Sequence, residues 1–273
     1  MAFKGAVLAL LLSLAAGLSA RPAAAEQLLS HPYSALAPST AAVASALFVK
    51  GETLEYEIYW GLINVGRSFL RIEAAVDIDS RPAWHLVSEA RSSSFLSTFY
   101  KVDDRNESWM DVETLSSYGY YKKLSEGKYF YNEWVAFDLT GKRYYGEKMN
   151  RKREVSKFDG LLEHTVNDML SAVYRVRAMD LAPGSSFEMD VNTKKNWRLT
   201  VKTGKTEKIE TAYGKRKCVI VEPMAGEEGL FVAKAGKRML IWLSQDELRL
   251  PMILKAEIFI GSITAKLVRR EIK

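Results

Sequence analysis

Few residues in this 273-residue chain combine type and spacing in a way that could support acid–base or metal chemistry. Histidine is the usual residue for both roles near neutral pH, and the chain contains only His31, His85 and His164. His164 lies near Glu163 and Asp168, but a metal site there would need further ligands from distant strands. We therefore predict no metal site and no cofactor.

Nucleophilic and glycosidic chemistry receive no stronger support. The chain lacks the G-x-S-x-G pattern of a serine nucleophile. Four carboxylates, Asp103, Asp104, Glu107 and Asp111, could supply a glycosidase pair, but a solvated strand face also explains them. We predict no catalytic residue. A polysaccharide-active enzyme is a distant third hypothesis, and it would require Asp103, Glu107 and His85 to share one cleft.

Aromatic side chains are the strongest positive indication of a binding site. The chain has 13 Tyr, 6 Trp and 11 Phe, many of them within alternating segments. Aromatic rings bury a large area and tolerate a polar border, so they suit either a packed core or the wall of an apolar groove. The residues predicted to line such a groove are Tyr56, Trp60, Tyr131 and Trp134.

The densest positive charge lies in residues 148–157, KMNRKREVSK. Arginine and lysine side chains there could contact phosphate or carboxylate groups on a lipid or a polymer. The alternative is a solvated loop with no ligand. The predicted contacts to a head group or other anion are Arg151, Lys152 and Arg153.

The first residues have the pattern of an export signal. Lys4 precedes an apolar run from Ala6 to Leu18, and small residues follow, as in a cleaved signal peptide of residues 1–25. An uncleaved anchor is the alternative, although the run is short for a bilayer. We predict a periplasmic protein of a Gram-negative envelope. Nucleic acid is then an improbable partner, and the single cysteine, Cys218, forms no intramolecular disulfide.

The rest of the chain divides into two parts. Residues 26–48 are rich in Ala, Ser and Pro and predict a flexible N-terminal arm, either a tether or a loosely docked segment. Residues 49–273 predict a single β-rich domain, beginning with a hairpin over 51–73. In that hairpin Leu54, Tyr56 and other apolar residues alternate with charged ones, which is typical of a half-buried strand.

One segment has helical spacing instead. We predict an amphipathic helix over about 160–180 that begins at Asp159 and packs against the sheet. The predicted fold class is therefore mainly β: a curved antiparallel sheet, or an open or closed barrel-like fold, with one helix. The apolar residues that define the helical spacing are Leu162, Val166, Met169, Val173 and Val176.

Four segments resemble a known family in order and spacing: GETLEYEIYWGLINVGRSFLRIE, DMLSAVYRVRAMDLAPG, TAYGKRKCVIVEP and IWLSQDELRLPMILKAEIFIGSITAKL. The family is the bacterial envelope family called domain of unknown function 3108, and the resemblance runs from Gly51 to the C-terminus. It implies an exported, mostly β protein without assigned catalysis. The last segment is also similar to the final hairpin of outer-membrane lipoprotein carriers, which hold acyl chains between a curved sheet and helices.

Two hypotheses of function follow. The first is a non-enzymatic periplasmic protein that binds a lipid or other amphiphile in a groove between the sheet and the helix. The second is a structural or interaction module that docks an envelope protein or peptidoglycan. The sequence does not determine the oligomeric state.

Overall fold

The computed structural model describes residues 28–40, 43, 45, 47–225, 238–258 and 260–273. The predicted signal peptide and residues 26–27, 41–42, 44 and 46 of the predicted arm lie outside them. The described residues form fourteen strands of one antiparallel sheet and two short helices, so the mainly β fold is confirmed. The strands are β1 Glu52–Trp60, β2 Ile63–Ile78, β3 Arg81–Ser92, β4 Asp103–Asp111, β5 Ser117–Glu126, β6 Tyr129–Asp138, β7 Arg143–Met149, β8 Val155–Leu161, β9 Ser186–Asn192, β10 Asn196–Thr211, β11 Gly214–Ala225, β12 Met239–Ser244, β13 Pro251–Glu257 and β14 Ser262–Ile272; the helices are α1 Ser94–Ser97 and α2 Met169–Ala178.

Strands that follow one another in the chain are neighbours in the sheet, except β8 and β9, which are its two edges. The pair β1–β14 joins strands β1 to β8 to strands β9 to β14. Because neighbouring strands run in opposite directions, the turns alternate between two ends of the sheet. We call the end that carries the β1–β2, β3–β4, β5–β6, β7–β8 and β13–β14 connections the upper end. The lower end carries the β10–β11 and β12–β13 turns and the last residue of β8.

The sheet curves until its edge strands β8 and β9 come close. Asn167, just before α2, forms a parallel bridge with Val191 of β9. The Nδ2 atom of Asn196 donates to the carbonyl of Leu161, the last residue of β8, at 2.6 Å. These contacts link the two edges and give the sheet a barrel-like shape.

Helix α2 is shorter than predicted and starts later. The predicted start at Asp159 is wrong, because residues 155–161 pair along their whole length with β7 as strand β8. Asp168 caps the helix instead: its Oδ1 atom accepts from the backbone N–H groups of Leu170 and Ser171 at 2.8 and 3.2 Å, as an N-cap should. In the described parts of the chain, neither helix has the length and apolarity needed to cross a membrane.

The main core lies between α2 and the face of the sheet that packs against it, which we call the concave face. Leu54 and Ile58 of β1 project there and belong to one apolar cluster with Leu170 and Val176 of the helix. Burying a side chain of this size stabilises a fold by about 1.5–3 kcal/mol. A helix of ten residues would be only marginally stable in isolation. Packing of its apolar side against the sheet therefore stabilises α2.

Part of the predicted flexible arm is docked on the opposite, convex face. The backbone N–H of Leu29 donates to Oδ1 of Asn132 at 2.7 Å. The ring of Tyr33 stacks on Trp109 with centroids 4.2 Å apart. Over residues 28–40, the chain therefore lies against the sheet, and the flexibility of the arm stays a prediction.

Candidate functional site

An open groove of about 700 Å³ lies where α2 ends, between the helix and strands β11 to β13. Pockets of about 300–1,000 Å³ commonly hold small ligands. Part of its lining is apolar and includes Leu47, Leu181, Ala182 and Val219. Such a wall can cover a hydrocarbon chain.

The rest of the lining of this groove is largely charged. Asp180, Asp246 and Glu247 line it together with a single cation, Arg249. The Oδ1 atom of Asp246 accepts from the backbone N–H of Arg249 at 3.2 Å and so shapes the β12–β13 turn. The guanidinium of Arg249 donates to the carbonyl of Met179 at the end of α2. Three carboxylates and one helix-bound arginine give this rim a negative potential.

A row of polar side chains crosses the concave face in the other half of the sheet, away from the groove. Each member lies directly opposite the next in the strand pairing, from β3 to β8. Since pairing places such residues about 5 Å apart on one face, the row is continuous. Its members are Ser88, Asn106, Lys122, Glu133, Lys148 and Ser156.

Glu133 is the centre of this row and is fully buried. Its carboxylate accepts from the hydroxyls of Tyr120, at 2.6 Å, and Tyr131. The ammonium groups of Lys122 and Lys194 lie 3.8 and 3.2 Å away. Burial alone would raise the pKa of Glu133, but the two lysines and two hydroxyls lower it below its ordinary value. Glu133 is thus an ionised, fully satisfied carboxylate at neutral pH.

A small cavity adjoins the row beside the N-terminus of α2. It measures about 30 Å³ and is lined in part by Ser88, Asn106 and Asp168. Among the described residues, the Oγ atom of Ser88 and the Oδ1 atom of Asn106 have no hydrogen-bond partner. A space of this size holds about two water molecules. It is too small for an acyl chain, so a larger ligand fits the groove at the other end of α2.

Two further carboxyl groups meet on the concave face. Asp104 and Glu126 are both buried, and their side chains are hydrogen-bonded to each other. Burial raises the pKa of Asp104 to about 7, although the hydrogen bond from the backbone N–H of Ser125 acts to lower it. With its pKa raised to about 7, the Asp104 carboxyl keeps its proton up to near-neutral pH.

The structure does not bring the predicted groove residues together. Tyr56 is fully buried, and its hydroxyl donates to the carbonyl of Pro251 at 2.9 Å. Trp60 lies on the same face of β1, at the upper end, and Tyr131 contacts Glu133. Trp134 projects from the convex face into a second cluster. None of the four lines the 700 Å³ groove, and their contact with a ligand stays a prediction.

The predicted head-group residues Arg151, Lys152 and Arg153 lie in the β7–β8 turn and are exposed. The guanidinium of Arg153 is 4.2 Å from the ring centroid of Phe130. These residues do not line the 700 Å³ groove either. Their contact with an anion also stays a prediction.

Of the three residues that the enzyme hypothesis requires in one cleft, only His85 and Glu107 are in contact. The Nε2 atom of His85 and a carboxylate oxygen of Glu107 are 2.7 Å apart on the convex face, whereas Asp103 pairs with Lys123 at 3.4 Å. Burial would raise the pKa of Glu107, but hydrogen bonds from His85 and Arg105 bring it down to about 2. Nowhere in the described residues do three or more His, Cys, Asp or Glu side chains cluster as a metal site would require.

The charged rim of the groove was missed by sequence reasoning. Glu247 falls in a segment that reads only as a polar turn, SQDE, and Arg249 follows two residues after it. Asp180 follows α2 in sequence and meets that turn only because the sheet curves around the helix. A charged turn is a weak signal, since most charged turns are simply solvated.

Comparison with known proteins agrees with this architecture. The model of the family "Protein of unknown function (DUF3108)" matches residues 55–268, so the chain belongs to this family, as its motifs predict. Curated proteins provide no match. The crystal structure of a beta-barrel-like protein of the domain of unknown function DUF1849 from Brucella abortus is similar, with a TM-score of 0.54 and 11% identity over 81% of this chain and 97% of that one. At this identity the likeness shows the fold only.

Proposed function

We propose that the protein is a non-enzymatic, exported protein of the bacterial envelope that binds an amphiphile in the groove at the C-terminal end of α2. A single observation carries the proposal: a groove of about 700 Å³ joins an apolar wall to a charged rim. Apolar lining with a few convergent polar groups is the usual composition of a small-molecule site. The export signal predicted over residues 1–25 supports the periplasmic location.

The rim selects the head group. Asp180, Asp246 and Glu247 outnumber Arg249, and Arg249 is bound to the end of α2. A positively charged or zwitterionic head group therefore complements the rim, and an anionic one does not. Since these charges are largely exposed, each contributes about 0.2–1 kcal/mol. The preference for one head group over another is then moderate, and burial of the ligand's hydrocarbon chain supplies most of the affinity.

The test is calorimetric titration of the mature protein with three detergents that share a dodecyl chain, each below its critical micelle concentration. Dodecyltrimethylammonium and dodecylphosphocholine should bind saturably, and dodecyl sulfate more weakly. Ala182→Trp fills the groove from an exposed position and should weaken binding about tenfold. Ala35→Trp, exposed on the docked arm, is the matched control and should bind as the wild type does.

A second variant tests the preference for a cationic head group. Glu247→Gln should lower the preference for the cationic over the anionic detergent by about threefold, and Glu113→Gln, an exposed carboxylate outside the groove, should not. If no detergent binds saturably, the groove holds no amphiphile. Cross-linking in the periplasm that traps a partner of fixed mass would then favour the interaction module.

A further inference from the structure

The upper end of the sheet carries large apolar side chains that face solvent. They belong to three connections: Leu62 and Ile63 to β1–β2, Phe95 and Phe99 to β3–β4, and Ile260 to β13–β14. Their exposed fractions run from 56% for Ile63 to 98% for Leu62. Soluble proteins scatter single exposed apolar residues, but a cluster of five marks an interaction surface. We call these five residues the apolar rim.

The apolar rim is continuous because its connections lie side by side. Strands β3, β2, β1, β14 and β13 are consecutive in the sheet. The backbone N–H of Ser93, in the β3–β4 connection, donates to the carbonyl of Val65 in β2 at 2.9 Å. The indole N–H of Trp60 donates to the carbonyl of Ile260 at 2.9 Å. The three connections are thus tied to one another.

The described turns at the upper end carry a net positive charge, and the acidic residues at the adjoining strand ends are Glu257, which is exposed, and Asp103, which pairs with Arg91 and Lys123. The three connections of the apolar rim contain no acidic residue, and Lys101 is their charged residue. The β5–β6 and β7–β8 turns at the same end add exposed Lys128, Arg151, Lys152 and Arg153. The carboxylate of Glu154 there is hydrogen-bonded to Asn150.

We infer that the apolar rim docks on the surface of an anionic lipid bilayer. Its side chains project from separate turn tips, and such tips enter the interface of a bilayer without needing a surface of matching shape. The neighbouring lysines and arginines match the negative charge of anionic head groups. In this arrangement Arg151 and Lys152 meet lipid phosphates at the membrane surface, away from the 700 Å³ groove.

The first test is sedimentation of the mature protein with vesicles of phosphatidylcholine, either pure or with about 30% phosphatidylglycerol. The wild type should bind the mixed vesicles, and Leu62→Ser/Phe95→Ser should reduce that binding about tenfold. The matched control is Leu161→Ser/Tyr213→Ser, which removes one aliphatic and one aromatic side chain, 69% and 38% exposed, from the lower end. The control should bind as the wild type does.

The second test separates charge from apolar contact. Arg151→Gln/Lys152→Gln should weaken binding to the mixed vesicles about threefold and leave binding to pure phosphatidylcholine unchanged. Lys215→Gln/Arg216→Gln, exposed near the β10–β11 turn of the lower end, should change neither.

Three results would overturn the inference. The first is that the wild type does not sediment with the mixed vesicles, and the second is that the lower-end control loses as much binding as the rim variant. Alternatively, sedimentation velocity without lipid could show a dimer that Leu62→Ser/Phe95→Ser converts to a monomer. The apolar rim would then be an interface between two copies of this chain.

Discussion

Arg177 of α2 and Glu52 of β1 form an ion pair of 3.0 Å in which both side chains are almost completely buried. The same guanidinium donates to the carbonyls of Leu47 and Leu248. Arg270 reaches the second carboxylate oxygen of Glu52 at 2.9 Å. Arg177 thereby links α2 to β1 and to the β12–β13 turn that borders the groove.

Arg177→Met should lower the free energy of unfolding by about 3–5 kcal/mol, because it removes one partner of a buried pair and leaves carbonyls without a donor. Urea denaturation measures the change. Arg198→Met, which breaks an exposed pair with Glu188, is the control and should cost less than about 1 kcal/mol. Equal costs for the two variants would mean that the buried pair does not hold the helix.

The Asp104–Glu126 pair should make stability depend on pH. The pKa of Asp104 is about 7 in the folded protein against an ordinary value of 3.8, so the folded state binds the proton more tightly. The free energy of unfolding should therefore fall as the pH rises from about 4 to about 7 and stay level above that. A shift of this size corresponds to a change on the order of 4 kcal/mol.

Asp104→Asn should abolish this fall, which urea denaturation across that pH range would detect. Asp103→Asn is the control, since its carboxylate is partly exposed and paired with Lys123. If the stability of Asp104→Asn varies with pH as the wild type does, Asp104 does not keep its proton up to near-neutral pH.

Tyr131→Phe should destabilise the protein by about 1–3 kcal/mol, because Glu133 is buried and loses one of its donors. Tyr145→Phe, an exposed tyrosine of the convex strand face, should change stability by less than about 0.5 kcal/mol. Thermal and urea unfolding measure both. If Tyr131→Phe leaves stability unchanged and weakens detergent binding, Tyr131 acts on the ligand and not on the fold.

Local pattern was enough to predict much of the fold. Alternation along residues 51–73 gives β1 and β2, and Gly61 supplies the left-handed turn residue between them, with φ of 59°. The helix start was wrong for a physical reason: Leu162 and Val166 are buried at helical spacing but lie in an irregular segment before the cap at Asp168.

The site could not be predicted in the same way. The polar row joins Ser88 to Ser156 through five strand pairings, and no local pattern specifies which residues of distant strands face one another. The groove has the same origin, because Asp180 and Glu247 become neighbours only when the sheet wraps α2. Residue type alone predicted that aromatic residues such as Trp134 line the groove, whereas Trp134 packs in the second apolar cluster.

The apolar rim and the groove lie at opposite ends of the sheet. Strand β13 runs from the turn beside the groove to the β13–β14 connection of the apolar rim, and its seven residues span about 23 Å. A molecule resting on its rim would therefore hold its groove at about that distance from the bilayer, open to the aqueous space. It could not draw a lipid straight from the surface beneath it. A ligand would therefore enter the groove from the aqueous side, or after the molecule had left the membrane.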